Sequence, residues 1–293
     1  MKMRMDEWKR LFCSVAGLMV LVVFISISVS AETAFEKILP SAPGVSPGPV
    51  AAYDSGRNVM VLVTGEPPWD ETYAHKPVTW EFDGSQWQPV AVGVGPDARS
   101  YAAMAYDAAR SVCVMYGGWI YGAPTSYPQD TWTWNGSAWQ QVYPAHSPGP
   151  QVGASMFYDA ANQLVVLVGD GETWTWNGTD WSGPIGTPTA VGACYDTSRN
   201  VGVLYTRLFS PSTWEWDGSG WIQITPATTT PPFRQFDTIM FFDPGLNRSV
   251  ICSGDSLATF DMWAWDGSDW VELTPVILPP AGRYYACAYM TSI

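Results

Sequence analysis

The chain has 293 residues, 47% of them hydrophobic, 14% aromatic and 14% charged, with 17 Trp, 27 Gly and 24 Pro. Such apolar content excludes a disordered tail. A formal net charge of −13 with only 14 Lys and Arg excludes a basic nucleic-acid binder.

From the N-terminus, Lys2, Arg4, Lys9 and Arg10 precede an uncharged, mostly apolar run of 19 residues from Leu11 to Val29, followed by Ser30-Ala31. A basic segment, an apolar core and small residues form the pattern of a secretory signal peptide cleaved after Ala31. As a helix, such a run would span about 28 Å, enough for a bilayer core, so a retained anchor is the competing reading. Either way residues 32–293 are expected to be exported, secreted or held at the cell envelope. That part keeps ten Lys and Arg against 25 Asp and Glu, a net charge of −15. This argues against nucleic acid or anionic lipid as a partner. A membrane enters only if the anchor is retained, and a monomer is expected.

Past residue 32 a nine-residue phrase recurs. It reads TWEFDGSQW at 79–87, TWTWNGSAW at 131–139, TWTWNGTDW at 173–181, TWEWDGSGW at 213–221 and MWAWDGSDW at 262–270. A second phrase alternates with it: an apolar run into Tyr53-Asp54, Tyr106-Asp107, Tyr158-Asp159, Tyr195-Asp196 or Phe242-Asp243, a short turn, then another apolar run. Each unit therefore holds four strand candidates. Strand a leads into the Asp, strand b follows the turn, strand c is Thr-Trp-x-Trp, and strand d opens at the last Trp. In strand c the two Trp stand at i and i+2 and share one face. The Asn-Gly or Asp-Gly between c and d predicts a two-residue type I′ hairpin, with positive φ at both central residues.

Repeated four-stranded antiparallel units of this length are the sequence signature of a β-propeller. One such sheet cannot bury both faces alone, whereas sheets packed around an axis cover one another. The fold class is therefore all-β: a propeller of five complete blades, residues 32–293, plus a partial sixth repeat whose strand a is Arg283 to Met290. The unit resembles that of the kelch family on four features. Arg99, Arg234 and Arg283 precede strand a. Gly117-Gly118 close strand b, in the second unit only. An aromatic and a Trp flank each c–d turn: Phe82/Trp87, Trp134/Trp139, Trp176/Trp181, Trp216/Trp221 and Trp265/Trp270. The resemblance implies ligand binding on the face carrying the b–c and d–a connections.

Those connections vary in length, and variable loops on a rigid scaffold are where binding residues concentrate. The candidates are Trp69, Tyr73 and His75 in the first b–c loop, Trp119, Tyr121 and Tyr127 in the second, Phe209 in the fourth and Phe260 in the fifth. Arg99, Arg234 and Arg283 join them where d–a loops enter strand a. Aromatics beside Arg could stack on a sugar or peptide and hold a carboxylate. The competing reading has the aromatics pack the loops and each Arg pair with a nearby acid. The expected partner is a glycan or protein ligand. No cofactor or metal is expected: His75 and His146 are the two His, and no Gly-rich phosphate loop, zinc spacing or Gly-x-Ser-x-Gly elbow is present. An exported sugar-modifying enzyme, with Arg, Glu and Tyr converging at the channel mouth, and a structural envelope repeat are the alternatives. Cys113, Cys194, Cys252 and Cys287 lie in predicted strands and are expected as buried free thiols.

Overall fold

The computed structural model describes residues 19–25, 48–64, 77–92, 94–120, 126–206, 211–228, 230–231, 236–254, 260–274 and 283–290, with backbone alone for 19–25, 236–237, 254, 260 and 283–290. All regular elements among them are strands, and no helix among them is long and apolar enough to cross a membrane.

After β1 (Met19–Ile25), five four-stranded sheets follow in chain order. Blade 1 is β2 (Val50–Asp54), β3 (Val59–Thr64), β4 (Val78–Phe82) and β5 (Trp87–Val92). Blade 2 is β6 (Ala103–Asp107), β7 (Val112–Tyr116), β8 (Thr131–Trp134) and β9 (Trp139–Val142). Blade 3 is β10 (Ser155–Asp159), β11 (Leu164–Gly169), β12 (Glu172–Trp176) and β13 (Trp181–Gly186). Blade 4 is β14 (Ala190–Asp196), β15 (Val201–Thr206), β16 (Ser212–Trp216) and β17 (Trp221–Ile224). Blade 5 is β18 (Phe236–Asp243), β19 (Arg248–Gly254), β20 (Phe260–Trp265) and β21 (Trp270–Leu273). Within each blade consecutive strands pair antiparallel. The innermost strands β2, β6, β10, β14 and β18 neighbour one another in that order, which makes the sheets the blades of a propeller. The last strand, β22 (Arg283–Met290), contacts β18 and β2 and pairs in parallel with β1. No further strand joins that pair, so the described residues do not establish a sixth repeat.

The core lies between blades. Val61 and Val63 of blade 1 meet Met104, Cys113 and Met115 of blade 2, and Val166 and Val168 of blade 3 meet Leu204 and Trp216 of blade 4. Strand b is covered on both faces, which is why its residues read as an unbroken apolar run and not as an alternation. Met60 and Val61, neighbours in sequence on opposite faces of β3, are both fully buried. Cys113, Cys194 and Cys252 are buried and unbridged, as expected, and burial pushes all three thiols well above their ordinary pKa. The side chain of Cys287 lies outside the described residues.

Two polar rows stitch neighbouring blades, and both use the repeated Trp. In the first row the indole N–H of the strand-d Trp donates to the strand-c Thr of the preceding blade. Trp139 reaches Thr79 at 2.7 Å, Trp181 reaches Thr131 at 2.9 Å, Trp221 reaches Thr173 at 2.8 Å and Trp270 reaches Thr213 at 2.7 Å. All four hydroxyls belong to buried Thr. Blade 5 carries the buried Met262 in place of this Thr. In the second row the last Trp of strand c donates to an acid of the preceding blade: Trp134 to Glu81 at 3.0 Å, Trp216 to Asp159 at 3.0 Å and Trp265 to Glu215 at 2.8 Å.

The Asp closing strand a is a turn cap. Oδ1 of Asp54 accepts the backbone N–H of Gly56 and Arg57, and Oδ2 accepts Nε of Arg57 at 2.7 Å; Asp196 repeats this with Ser198 and Arg199. Arg57 then forks onto both oxygens of Glu81 at 2.9 and 2.7 Å. The fourth turn residue takes a left-handed φ in every blade: Asn58, Ser111, Gln163, Asn200 and Asn247 lie between +55 and +57°. Asn tolerates that region and Ser and Gln do so less readily.

The c–d hairpins differ from the expected type I′ turn. The N–H of Asp83 donates to the carbonyl of Gln86, so the two central residues are Gly84 and Ser85, and of these only Gly84 has positive φ, at +95°. That places Gly first, the φ signature of a type II′ turn. The Asp or Asn one step earlier holds the turn through its side chain. Oδ1 of Asn135 accepts N–H of Ser137 and Ala138 and the Ser137 hydroxyl, each at 2.9 Å. The hairpin Gly also lets the next blade close up: a Cβ on Gly136 would stand 2.7 Å from the guanidinium carbon of Arg57 in blade 1.

Thr131→Val should lower unfolding stability by about 1–3 kcal/mol, because it leaves the buried Trp181 N–H without an acceptor. A double-mutant cycle with Trp181→Phe, read from urea midpoints, should return most of that loss as coupling. Gln163→Asn should raise stability by about 0.5 kcal/mol by relaxing a left-handed residue without touching its carbonyl, which accepts from Arg110; thermal denaturation reads that change.

Candidate functional site

A cavity of about 290 Å³ opens on the axis at the end where the chain enters the innermost strands. Its described lining comes from residues 48–51, 101–104, 153–156, 191–193 and 238–240, one stretch per blade. This is the face of the d–a and b–c connections. Those described residues are Gly, Ala, Ser, Thr, Pro, Val, Ile and Met, with Tyr101 as the one aromatic among them. Of the Arg, Glu and Tyr that would converge there in a sugar-modifying enzyme, the described lining contains Tyr alone.

Three d–a segments are tied together at the rim. Tyr101 N–H donates to the Gly48 carbonyl at 2.8 Å, and Gly153 N–H donates to the Tyr101 carbonyl at 2.8 Å. All three residues are left-handed, with φ of +59, +57 and +70°. The two Gly adopt this freely. Tyr101 does not, and a bulky residue held there is a strained position of the kind that clusters at functional sites. Gly48 is required beside it, since a Cβ would come within 2.9 Å of the Tyr101 ring.

Trp119 stacks on Tyr101, with ring centroids 6.4 Å apart and planes 14° from parallel. Its backbone is fixed by a two-way bridge to Ser100, each bond 2.8 Å. The Gly117-Gly118 pair makes the bridge possible. Both have positive φ, and Cβ atoms on them would stand 2.6 Å from the Gln151 carbonyl oxygen and 2.9 Å from that of Ser100. The one unit with a double glycine is thus the one that brings a Trp back against Tyr101.

Arg99 does not stand on this face as a ligand group. Its side chain is 1% exposed and forks onto Asp130 at 2.5 and 3.1 Å, with further bonds to the carbonyls of Asp97 and Gly117. Asp130 also accepts the Trp132 indole N–H at 2.7 Å. Burial pushes the Asp130 carboxyl up, but the hydrogen bond and charge of Arg99 together with Trp132 outweigh it and hold the group below its ordinary pKa. The pair anchors the d–a and b–c loops of blade 2 beneath the rim. Tyr127 is exposed at 53%, on the return of the same b–c loop. His146 bonds Asp180 at 2.7 Å, linking the connection after blade 2 to the c–d hairpin of blade 3.

Trp69, Tyr73, His75, Tyr121, Phe209 and Arg234 lie outside the described residues. Phe260 and Arg283, expected in a loop and ahead of a strand, are the first residues of β20 and β22, where pairing of the backbone extends each strand by its opening residue. Their side chains are not described. The structure stacks Trp119 on Tyr101, a cavity-lining residue that loop reasoning passed over. A signal for Tyr101 exists in the aromatic two residues after Arg, seen at Arg99-Ser-Tyr101, Arg234-Gln-Phe236 and Arg283-Tyr-Tyr285.

No family model matches the chain, and no curated protein is matched by it. Solved structures share the fold at low identity. YjhT is 12% identical with a TM-score of 0.58, over 85% of this chain and 89% of that one. A protein of unknown function from Dyadobacter fermentans is 13% identical with a TM-score of 0.52, over 83% and 86%. The SapL1 lectin, solved in complex with alpha methyl fucoside, is 15% identical with a TM-score of 0.52, over 85% and 83%.

The Arg99–Asp130 pair predicts a specific acid sensitivity. A carboxyl whose folded pKa is lowered adds stability above its unfolded value, near 4, and loses it as pH falls through the folded value. Asp130→Asn should therefore cost about 3–5 kcal/mol at pH 7, where it strands a buried guanidinium. The gap between its urea midpoint and that of the parent should narrow as pH falls through the folded pKa of Asp130.

Proposed function

We propose that the protein is an exported, kelch-type propeller acting as a non-catalytic binding module, with a glycan or protein as ligand. The observation that carries this reading is the stacked Tyr101–Trp119 pair at the rim of the axial cavity, held by a strained backbone and a double glycine. A packing role alone does not call for a left-handed Tyr where the neighbouring blades place Gly. Aromatic rings at a pocket rim present flat apolar area with few lost rotamers, which suits both sugar faces and peptide side chains. A lectin of the same fold, solved with a methyl fucoside, supports the glycan side of the reading. The N-terminal pattern supports export to an oxidising compartment, where buried unbridged thiols are protected from oxidation by their packing.

Glycan-array and pull-down measurements test the reading. Trp119→Ala and Tyr101→Ala should each weaken the captured ligand by at least tenfold while leaving the near-ultraviolet dichroism of the blade Trp in place. Binding unchanged in both variants would remove the site from this face. Fractionation of the expressing cell, with the N-terminal sequence of the exported species, should show cleavage after Ala31.

A further inference from the structure

Resting on the binding-module reading, we infer that the ligand is an unbranched glycan chain, seated on the Tyr101–Trp119 stack and leaving it outward over blade 3. The b–c connections are unequal in length. They run 13 residues in blade 1 (65–77), 14 in blade 2 (117–130) and five in blades 4 and 5 (207–211 and 255–259), against two in blade 3 (170–171). Asp170 and Gly171 make that short turn with φ of +48 and +79°, positive at both central residues as a type I′ hairpin requires. Thr187 N–H donates to the Gly171 carbonyl at 2.9 Å and fixes the turn from the d–a side. The blade 2 connection is the reverse. It folds back on itself where Ile120 and Ser126 exchange backbone bonds at 3.0 and 3.2 Å, and it carries Trp119 onto Tyr101. The binding face therefore steps down from blade 2 to blade 3, beside the stacked pair.

A floor of small residues joins the stack to the low turn. Gly153 donates its N–H to Tyr101, and Ala154 follows it. The Ala154 Cβ lies 2.8 Å from where a Cβ on Gly169 would stand, and Gly169 leads into Asp170-Gly171. Beneath this floor lies an unmatched amide. Gln151 is 4% exposed, and its Oε1 has no hydrogen-bond partner among the described residues. A Cβ on Gly169 would stand 2.3 Å from that oxygen, so the oxygen faces the floor where no side chain shields it. A buried acceptor left unmatched costs about 1–3 kcal/mol, and a ligand hydroxyl set over Gly169 supplies the donor it lacks. At the outer end Asp170 is exposed, and its carboxylate accepts from hydroxyls. Along the floor Gly153 N–H is taken by Tyr101 and the Gly171 carbonyl by Thr187, which leaves a peptide strand little to pair with. An aromatic platform, an amide and a carboxylate in succession fit linked sugar rings, each with an apolar face and a hydroxyl edge.

The test is an NMR titration of the full exported chain with β-linked ladders of glucose, N-acetylglucosamine and galactose, from the single sugar to the hexasaccharide, beside a pool of uncharged hexapeptides. At least one ladder should gain about tenfold in affinity between the single sugar and the tetrasaccharide. Replacing Asp170-Gly171 by a copy of the blade 4 connection, residues 207–211, should remove that gain and leave the single sugar bound as before. Gln151→Met keeps the length of the side chain and removes its amide. It should weaken the tetrasaccharide by about threefold while the urea midpoint stays or rises, a combination that a packing role does not produce. A flat ladder for every sugar, no binding by any of them, tighter binding of the peptides, a gain that survives the loop exchange, or full tetrasaccharide binding by Gln151→Met would each overturn the inference. If the loop exchange misfolds, Gln151→Met and the ladder on the parent chain still decide. Sugars lost with Trp119→Ala but bound by the parent with no length dependence would sink the path over blade 3 and leave the binding face standing. Indifference to Trp119→Ala and Tyr101→Ala would sink the face itself.

Discussion

Each blade after the first donates the indole N–H of its strand-d tryptophan to the strand-c threonine of the blade before it. The rest of the ring depends on that contact. A four-stranded sheet with apolar residues on both faces cannot persist alone, so blades must be pressed together, and pressing them together buries every polar atom between them. Trp resolves the conflict because one side chain supplies a large apolar surface and a single N–H that needs one acceptor. The Thr supplies the acceptor and, being β-branched, fits the strand it stands in. A second row, from the inner Trp to acids at the turn side, repeats the solution closer to the axis.

Much of this was readable as pattern. The Thr-Trp-x-Trp phrase announced blades because the repeat carries both halves of the inter-blade bond, the Thr for one neighbour and the closing Trp for the other. The c–d turn was misread by one residue. Asn-Gly or Asp-Gly looks like the centre of a I′ turn, yet in the folded hairpin the Asn or Asp is a side-chain clamp and Gly opens the turn. Sequence alone does not separate those two registers, since both want the same dipeptide. The left-handed fourth residue of each a–b turn was equally silent where it is Ser111 or Gln163.

The site was legible in part. Trp119 stood out because it fell outside the repeat, and the structure stacks it on Tyr101. Tyr101 did not stand out, because its importance lies in a backbone angle and in two hydrogen bonds to other blades. Arg99 invited a ligand role because its partner Asp130 is 31 residues away, across a variable loop. Long-range pairing of that kind leaves no local trace. The two ends of the blades also divide their chemistry. At the a–b turns charge is consumed in fixed pairs such as Arg57 with Asp54 and Glu81. Around the axial cavity the described lining residues carry no charge.

The row of indole bonds has a direction: the donor always belongs to the later blade and the acceptor to the earlier one. Order is therefore encoded in the ring, blade by blade. Met262 ends the series, because a blade following blade 5 with a strand-d Trp of its own would find a thioether where the others find a hydroxyl. Repeats that arise by duplication are free to be shuffled by recombination. Here a copy of blade 5 moved into the interior would leave an indole unanswered, whereas copies of blades 2, 3 and 4 could exchange places without that defect. The permitted rearrangements of this chain are thus unequal, and a single side chain draws the line between them.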